Sequence, residues 1–128
     1  MEIKDYCTGV QHIGIPTNDI EKTKSFFTDL GLKVIYSTVN NGEKVAFLCL
    51  GNLVVETWEN GEATMKCGSI DHICLDVNNV DELFNIVEKK GYKSIEGHVC
   101  NLPYWENGVK YFTIEGPNKE KIEFCEML

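Results

Sequence analysis

The sequence predicts an α+β protein built from two tandem β-α-β-β-β modules. The first indication is a repeated strand: residues 10–15 and 70–75 both alternate aliphatic with other side chains, and each carries a histidine at the same place. Alternation with period two is the pattern of a strand with two different faces. The second indication is a later pair of similar segments, residues 54–59 and 121–126. The second module is longer, and a loop around 98–107 accommodates its extra residues.

We therefore expect one domain over residues 1–128, with module one at about 9–59 and module two at about 69–127. A chain of 128 residues is long enough to bury a hydrophobic core. Residues 59–69 have turn composition and connect the modules. Two copies are too few for a solenoid, so the modules must pair with each other or with another chain.

Module one is predicted to begin with a strand at about 10–16 and an amphipathic helix. Thr17 or Asn18 is expected to cap that helix, and Gly31 to end it. Turn signals then divide the remainder into strands at about 33–39, 43–50 and 53–58.

Module two repeats this order. Its helix carries Val80, Leu83 and Val87 at helical spacing, with Asn78 or Asn79 as its expected cap. The strands after the helix are predicted near 92–97, at 108–115 and at 121–127.

Composition excludes several classes of function. The net charge of −8 argues against a nucleic-acid partner and against an anionic membrane surface. No apolar run is long enough to span a bilayer, and the polar first residues do not read as a signal peptide. The six cysteines form no CxxC pair, which favours reduced thiols in a cytoplasmic protein.

The alternation also predicts which side chains share a face. In each module the histidine of the first strand and a glutamate of the last strand point away from the aliphatic face. If the modules pair about a pseudo-twofold axis, these residues converge: His12, Glu56, His72 and Glu123. Two imidazoles and two carboxylates suit a borderline divalent cation. A single strand histidine is more often a hydrogen-bonded structural residue, and the repetition is what favours the metal site. Cys74 and Cys125 fall near this site by the same parity but are not predicted to be ligands.

At these residues the chain resembles the vicinal oxygen chelate superfamily, over roughly residues 9–127. That superfamily includes glyoxalase I, methylmalonyl-CoA epimerase, fosfomycin-modifying enzymes, extradiol dioxygenases and bleomycin-binding proteins. The stretches that carry the resemblance are residues 12–15, 71–73 and 116–124. It implies an open, curved mixed sheet around a metal cleft, with the helices on the outer face.

Within the superfamily, the four candidate ligands match the His/Glu/His/Glu set of glyoxalase I. Epimerases usually carry glutamine where Glu56 stands, and fosfomycin-modifying enzymes use only three positions. Asn60 falls where bacterial glyoxalases contact the glutathione moiety. Pro16, however, occupies the place of an arginine that glyoxalase I uses, and the chain contains no arginine. The thiol carrier therefore stays open, because lysine does not replace a bidentate arginine.

The resemblance implies a glyoxalase I-like lyase or isomerase resembling lactoylglutathione lyase, with one divalent metal per site (Ni, Co, Zn, Mn or Fe). Glu56 or Glu123 would take a proton from carbon, and the cation would stabilise the resulting enediolate. The expected substrate is a thiol adduct of a 2-oxoaldehyde, and a homodimer is expected, with sites formed within a chain or across two chains. The alternatives are an epimerase-like or fosfomycin-modifying metalloenzyme and, in another class, a non-catalytic bleomycin-type binding protein.

Aromatic residues near the predicted site are candidates for the walls of a substrate pocket. Trp58 follows Glu56 on the same strand face, and Tyr104 and Trp105 lie in the long loop of module two. That loop is a candidate lid. Packing at a module or subunit interface is the equally weighted alternative for these rings.

Overall fold

Each predicted module forms a unit of its own in a computed structural model that describes residues 1–128. The units are Met1–Ala63 and Thr64–Leu128. Each contains one helix and one open, mixed sheet of four strands. This is the α+β architecture that the repeat predicts.

The first unit begins with a short 3-10 helix, Ile3–Asp5, and continues as strand, helix and three strands. Its elements are β1 (Ile13–Thr17), α1 (Ile20–Asp29), β2 (Lys33–Asn40), β3 (Glu43–Leu50) and β4 (Leu53–Glu59). The sheet order is β1-β4-β3-β2, in which β1 runs parallel to β4 and the other neighbours are antiparallel. The helix therefore serves as a crossover that brings the first strand beside the last one.

The second unit has the same connectivity. Its elements are β5 (His72–Asp76), α2 (Val80–Lys89), β6 (Cys100–Leu102), β7 (Val109–Glu115) and β8 (Lys121–Met127). The sheet order is β5-β8-β7-β6, and β5 is parallel to β8. In the first unit, the strand with Glu56 (β4) thus lies next to β1, which directly follows His12. In the second unit, the strand with Glu123 (β8) lies next to β5, which begins at His72.

A hydrophobic core lies in each unit and includes residues of its helix. In the first unit the buried apolar residues are Ile20, Phe26, Phe27, Leu32, Ala46, Leu48 and Val55. In the second they are Val80, Val87, Val109, Phe112, Ile114, Ile122 and Phe124. Because β-strand side chains alternate, burying one face leaves the other face of the same strands free for chemistry.

Both helices are tied to their sheets by a glutamate at the end of the last strand. Glu59 Oε1 accepts a hydrogen bond from the Ile20 N–H at 3.1 Å, and Glu126 Oε1 accepts one from the Val80 N–H at 2.8 Å. A carboxylate at a helix N-terminus satisfies an otherwise unpaired donor and complements the helix dipole. Neither helix has the length and apolarity needed to cross a membrane.

Two predictions of local structure are wrong: the cap of α1 and the strand near 92–97. The cap of α1 is Asp19, whose side chain accepts from the Lys22 N–H, and not Thr17 or Asn18. Both predicted caps have other partners: the Thr17 hydroxyl pairs with that of Thr23, and Asn18 Oδ1 accepts from the Ala63 N–H. The Asn79 cap of α2 is confirmed.

The strand predicted near 92–97 is absent. Only an isolated bridge joins Ser94 to Ile114, and the edge strand β6 instead falls at Cys100–Leu102, inside the predicted loop. Ser94 Oγ accepts a hydrogen bond from the Gly97 N–H, and Gly97 has a φ of +83°. This local turn competes with the strand ladder, and the propensity of the apolar residues in the segment does not overcome it.

Candidate metal centre

The first unit places His12 beside Glu56. His12 lies one residue before β1 rather than within it, and Glu56 lies on β4 opposite Gly14. The His12 Nε2 atom is 3.4 Å from Glu56 Oε1, and the two side chains are 34% and 28% exposed. The pair is therefore reachable from solvent and partly shielded by its own sheet.

The second unit places His72 beside Glu123 in the same way. His72 opens β5, and Glu123 is two residues along β8 from the partner of His72. The His72 Nε2 atom is 2.9 Å from Glu123 Oε2, and Glu123 is only 17% exposed. Both sequence-predicted pairs thus form, each inside its own unit, and the convergence of all four residues stays a prediction.

The other nitrogen of each imidazole is held by the residue that precedes the histidine. Gln11 Oε1 is 3.0 Å from His12 Nδ1, and Asp71 Oδ2 is 2.9 Å from His72 Nδ1. The Lys121 ammonium donates to the other oxygen of Asp71 at 3.3 Å. An acceptor at Nδ1 keeps the proton on that nitrogen and leaves Nε2 with its lone pair as the ligand atom.

Asp71 is a charged acceptor in this arrangement. The hydrogen bond to His72 lowers the pKa of Asp71, and the bond from Lys121 lowers it further. Asp71 therefore stays ionised near neutral pH and makes His72 the more strongly oriented histidine. Gln11 and Asp71 were not among the predicted site residues, although their matched position before each histidine was a usable signal.

The surroundings of the two pairs differ. In the first unit, the ring of Phe47 meets His12 edge-on at 5.7 Å between centroids, and Tyr36 lies 6.1 Å beyond it. In the second unit, the matching positions hold Thr113 and Glu96, and the Thr113 N–H donates to Glu96 Oε1 at 2.7 Å. One pair therefore has an aromatic wall and the other a polar wall.

Glu96 is a third carboxylate near His72, after Glu123 and Asp71. Desolvation raises the pKa of Glu96, but hydrogen bonds from Thr113 and Ser94 outweigh it, so the net pKa lies below the ordinary value of 4.5. Glu96 is thus charged at neutral pH. Sequence reasoning missed it because it was assigned to a regular strand that does not form.

A cavity of about 380 Å³ opens beside the second pair. Its lining includes His72, Glu123, Glu96, Tyr104 and Lys121. Lys121 is the one cationic side chain in that lining, against three carboxylates when Asp71 is included. The cavity is large enough for a small organic substrate, and its charge favours a neutral or metal-chelating one.

The remaining predicted substrate-binding residues take different places. Trp58 packs against Gly14, and a Cβ on Gly14 would come within 3.1 Å of the Trp58 ring. The Asn60 side chain accepts a hydrogen bond from the Glu62 N–H in the turn after β4. Trp105 is 76% exposed and faces a separate surface depression rather than the His72 cavity. Tyr104 is the one that lines the cavity, and the substrate contacts of all four stay predictions.

Two thiols accompany Glu123 on the same sheet face. Cys74, Cys125 and Glu123 each offer a ligand atom, and these atoms lie within 4.8 Å of one another. Desolvation and the charge of Glu123 raise the pKa of Cys74 to about 12 and also raise the pKa of Cys125. Both thiols are therefore protonated near neutral pH.

The two units, each with an imidazole beside a carboxylate on the face opposite its core, define a class of tandem-module proteins with mixed nitrogen and oxygen donors. Comparison with known families gives the particular one. The profile of the Glyoxalase/Bleomycin resistance protein/Dioxygenase superfamily matches residues 9–124. The chain belongs to this superfamily, the vicinal oxygen chelate group.

Two curated proteins illustrate its relatives. The uncharacterized protein YwbC of Bacillus subtilis (strain 168) is 28% identical over 124 residues, covering 91% of this chain and 96% of that protein. The mitochondrial methylmalonyl-CoA epimerase of Mus musculus is 26% identical over 98 residues, covering 67% of this chain and 55% of the epimerase.

Solved structures share the fold. A glyoxalase family protein from Enterococcus faecalis superposes with a TM-score of 0.78 at 16% identity, covering 94% of this chain and 99% of the other. The fosfomycin resistance protein FosX from Listeria monocytogenes, complexed with Mn(II) and sulfate, gives a TM-score of 0.72 at 18% identity, covering 95% and 94% of the two chains. At this level of identity the likeness shows the fold alone.

Proposed function

We propose that this protein is a divalent-metal-dependent, glyoxalase I-like enzyme that moves a proton between adjacent carbon atoms of a small substrate. The observation that carries the proposal is the repeated pair: each unit directs a histidine Nε2 at a glutamate carboxylate, at 3.4 Å and 2.9 Å. His12, Glu56, His72 and Glu123 are the proposed ligands, with one cation for each chain.

The donor atoms fit such an ion. With metal–ligand bonds of about 2.1 Å and angles of roughly 90–110°, neighbouring ligand atoms lie about 3.0–3.4 Å apart. The separation of 3.4 Å in the first unit falls within this spacing, and that of 2.9 Å in the second lies just below it. Acceptors at both Nδ1 atoms, Gln11 and Asp71, supply the outer support that metal-binding histidines have.

The side chains then divide the work. The histidines hold the ion, and the carboxylate of Glu56 or Glu123 takes a proton from the substrate carbon and returns it to the neighbouring carbon. The bound metal would supply Lewis-acid stabilisation of the negative charge that develops on substrate oxygen. The handedness of the substrate decides which glutamate acts as the base.

The proposed substrate is a thiol adduct of a 2-oxoaldehyde. The cavity beside His72 has the volume for a small adduct, but with only Lys121 as a cation it offers no bidentate clamp for the two carboxylates of glutathione. A thiol that carries fewer carboxylates than glutathione fits this charge pattern better. An epimerase acting on a methylmalonyl thioester is the second candidate, supported by the mouse relative.

The metal is tested by elemental analysis of protein purified from metal-supplemented medium. With Mn²⁺ as the supplement, which carboxylates suit and thiolates do not select, we expect one Mn²⁺ per chain and loss of nearly all of it in His12→Gln/His72→Gln. The matched control is His98→Gln, because the remaining histidine is exposed and its Nδ1 contacts the Val99 carbonyl instead of a carboxylate. Metal-free wild-type protein would instead favour a bleomycin-type binding function.

Turnover is tested with methylglyoxal plus several thiols and, separately, with methylmalonyl-CoA. Thiol-dependent product formation with solvent proton exchange supports the isomerase, whereas exchange with methylmalonyl-CoA alone supports the epimerase. A metal-loaded protein that does neither contradicts both. Light scattering and cell fractionation check the expected homodimer and cytoplasmic location.

A further inference from the structure

The face of the second sheet that carries His72 and Glu123 also carries a pair of cysteines. Cys74 is on β5 directly opposite Glu123 on β8, and Cys125 follows two residues later on β8, opposite Asp76. Side chains two residues apart on a strand share a face, so these three donors project together. Their ligand atoms lie within 4.8 Å of one another.

The first unit has nothing comparable at the matching positions. Gly14 stands opposite Glu56, where Cys74 stands opposite Glu123, and Trp58 takes the position of Cys125. The Trp58 ring fills the space over Gly14, and a Cβ there would meet it at 3.1 Å. The framework of the module therefore does not require thiols at these positions.

We propose that Cys74, Cys125 and Glu123 form a binding site in the second unit for a thiophilic divalent cation such as Zn²⁺ or Cd²⁺. Two thiolates and one carboxylate are a soft donor set that these ions prefer, and it differs from the imidazole–carboxylate set of the paired histidines. The fourth position is open to solvent because Cys74 is exposed. This proposal of cation binding by the two cysteines does not depend on the proposed isomerase function.

Geometry favours a metal bridge over a disulfide. Cys74 and Cys125 are diagonal neighbours on adjacent parallel strands, which places their Cα atoms roughly 8 Å apart at strand spacing. A disulfide needs Cα atoms closer than about 7 Å. A zinc ion with bonds of about 2.3 Å accepts two sulfurs about 3.8 Å apart, so the side chains alone can close on it.

Coordination has a definite proton balance and a consequence for Glu123. Each thiol releases its proton to solvent as its metal–sulfur bond forms, so two protons leave for each cation bound. Glu123 also lies 2.9 Å from His72. Occupation of the thiol site therefore competes with His72 for this carboxylate.

The experiment is a titration of freshly reduced protein with Cd²⁺, followed by the ultraviolet charge-transfer absorption of cadmium–thiolate bonds. We expect the band to saturate at one equivalent with two protons released. Cys74→Ser and Cys125→Ser should each remove most of the band, with Cys74→Ala and Cys125→Ala as second variants and circular dichroism as the check on folding.

The controls use the other thiols and the histidines. Cys49→Ser and Cys100→Ser change partly buried cysteines of other strands and should keep the full band. His12→Gln/His72→Gln should also keep it while losing the metal of the paired histidines, which separates failure of this site from failure of the proposed function.

Three results would overturn the site. The first is no thiolate band in the wild-type protein at stoichiometric Cd²⁺. The second is a band that persists in folded Cys74→Ser and Cys125→Ser. The third is loss of exactly these two thiols to a disulfide before any metal is added, shown by thiol titration and mass of the linked peptides.

Discussion

The two modules hold the same imidazole–carboxylate pair in opposite surroundings. Beside Glu56 the neighbouring strand supplies Phe47, and beside Glu123 the same position supplies Thr113. Phe47 contacts Tyr36, whereas Thr113 contacts Glu96. Strand register thus preserves the candidate ligands, while the residues around them can differ enough to make one wall apolar and the other polar.

The sheet residues that enter the two hydrophobic cores also differ in their aromatic content. In the second unit Phe112 packs against Phe84 and Phe124, with ring centroids 5.2 Å and 4.9 Å apart. The positions of Phe112 and Phe124 are taken in the first unit by Ala46 and Thr57. Among the residues of the two sheets, the first unit thus has Tyr36 and Phe47 beside His12, whereas the second has Phe112 and Phe124 in its core.

The largest expected effect tests whether the two glutamates are equivalent. Glu56→Gln and Glu123→Gln remove one carboxylate each, and the variant that loses the base should lower kcat by about 10²–10⁴-fold. The other should mainly lower metal affinity, because the amide is a weaker ligand. Steady-state kinetics with metal analysis separates the two outcomes.

The matched controls for this pair are Glu59→Gln and Glu126→Gln, three residues later on the same strands. These carboxylates accept helix N–H groups on the core side, so turnover should be unchanged while unfolding becomes easier by about 1 kcal/mol. Equal and small effects of all four variants on kcat would contradict the proposed roles.

A smaller effect tests the polar wall of the second module. Glu96 has a pKa below its ordinary value of 4.5, so it stabilises the fold at pH values above 4.5, and this contribution is lost as the pH falls through the lower folded-state pKa. Glu96→Gln should therefore lower stability at pH 7, by no more than about 1 kcal/mol because solvent screens this partly exposed group, and by progressively less in acid.

Denaturant unfolding at several pH values measures this. Tyr36→Phe, at the matching position of the first module, is the control and should show no such pH dependence. A stability difference for Glu96→Gln that is constant from neutral pH into acid would show that the Thr113 and Ser94 hydrogen bonds do not act through the charge.

The smallest effect is a gain in stability in the first module. Thr57 is fully buried, and its hydroxyl has no hydrogen-bond partner. Thr57→Val keeps the shape, removes an unpaired polar group and should raise the free energy of unfolding by about 1 kcal/mol. Thr113→Val, which removes a hydroxyl that bonds Glu96, should instead be destabilising. Thermal melts of both variants show whether each substitution raises or lowers the stability of the fold.

Several features of the fold and of the candidate site could be predicted directly from the sequence. The repeated histidine and glutamate, the helix periodicity and the turn residues predicted two β-α-β-β-β modules and the two pairs, because strand parity fixes which side chains share a face. The superfamily also followed from these residues. The cap of α2 was predicted as Asn78 or Asn79, and the structure has Asn79.

The rest depended on which of several competing local contacts forms and on pairing between strands distant in sequence. Asp19 rather than Thr17 caps α1 because Thr17 is engaged by Thr23, and the 92–97 segment turns because Ser94 bonds Gly97. Only the strand register shows which groups surround the candidate ligands. It places aromatic rings beside His12, Glu96 near His72 and two thiols around Glu123. Sequence fixes the chemistry each strand face can offer; only tertiary pairing decides which of those groups lie within bonding distance.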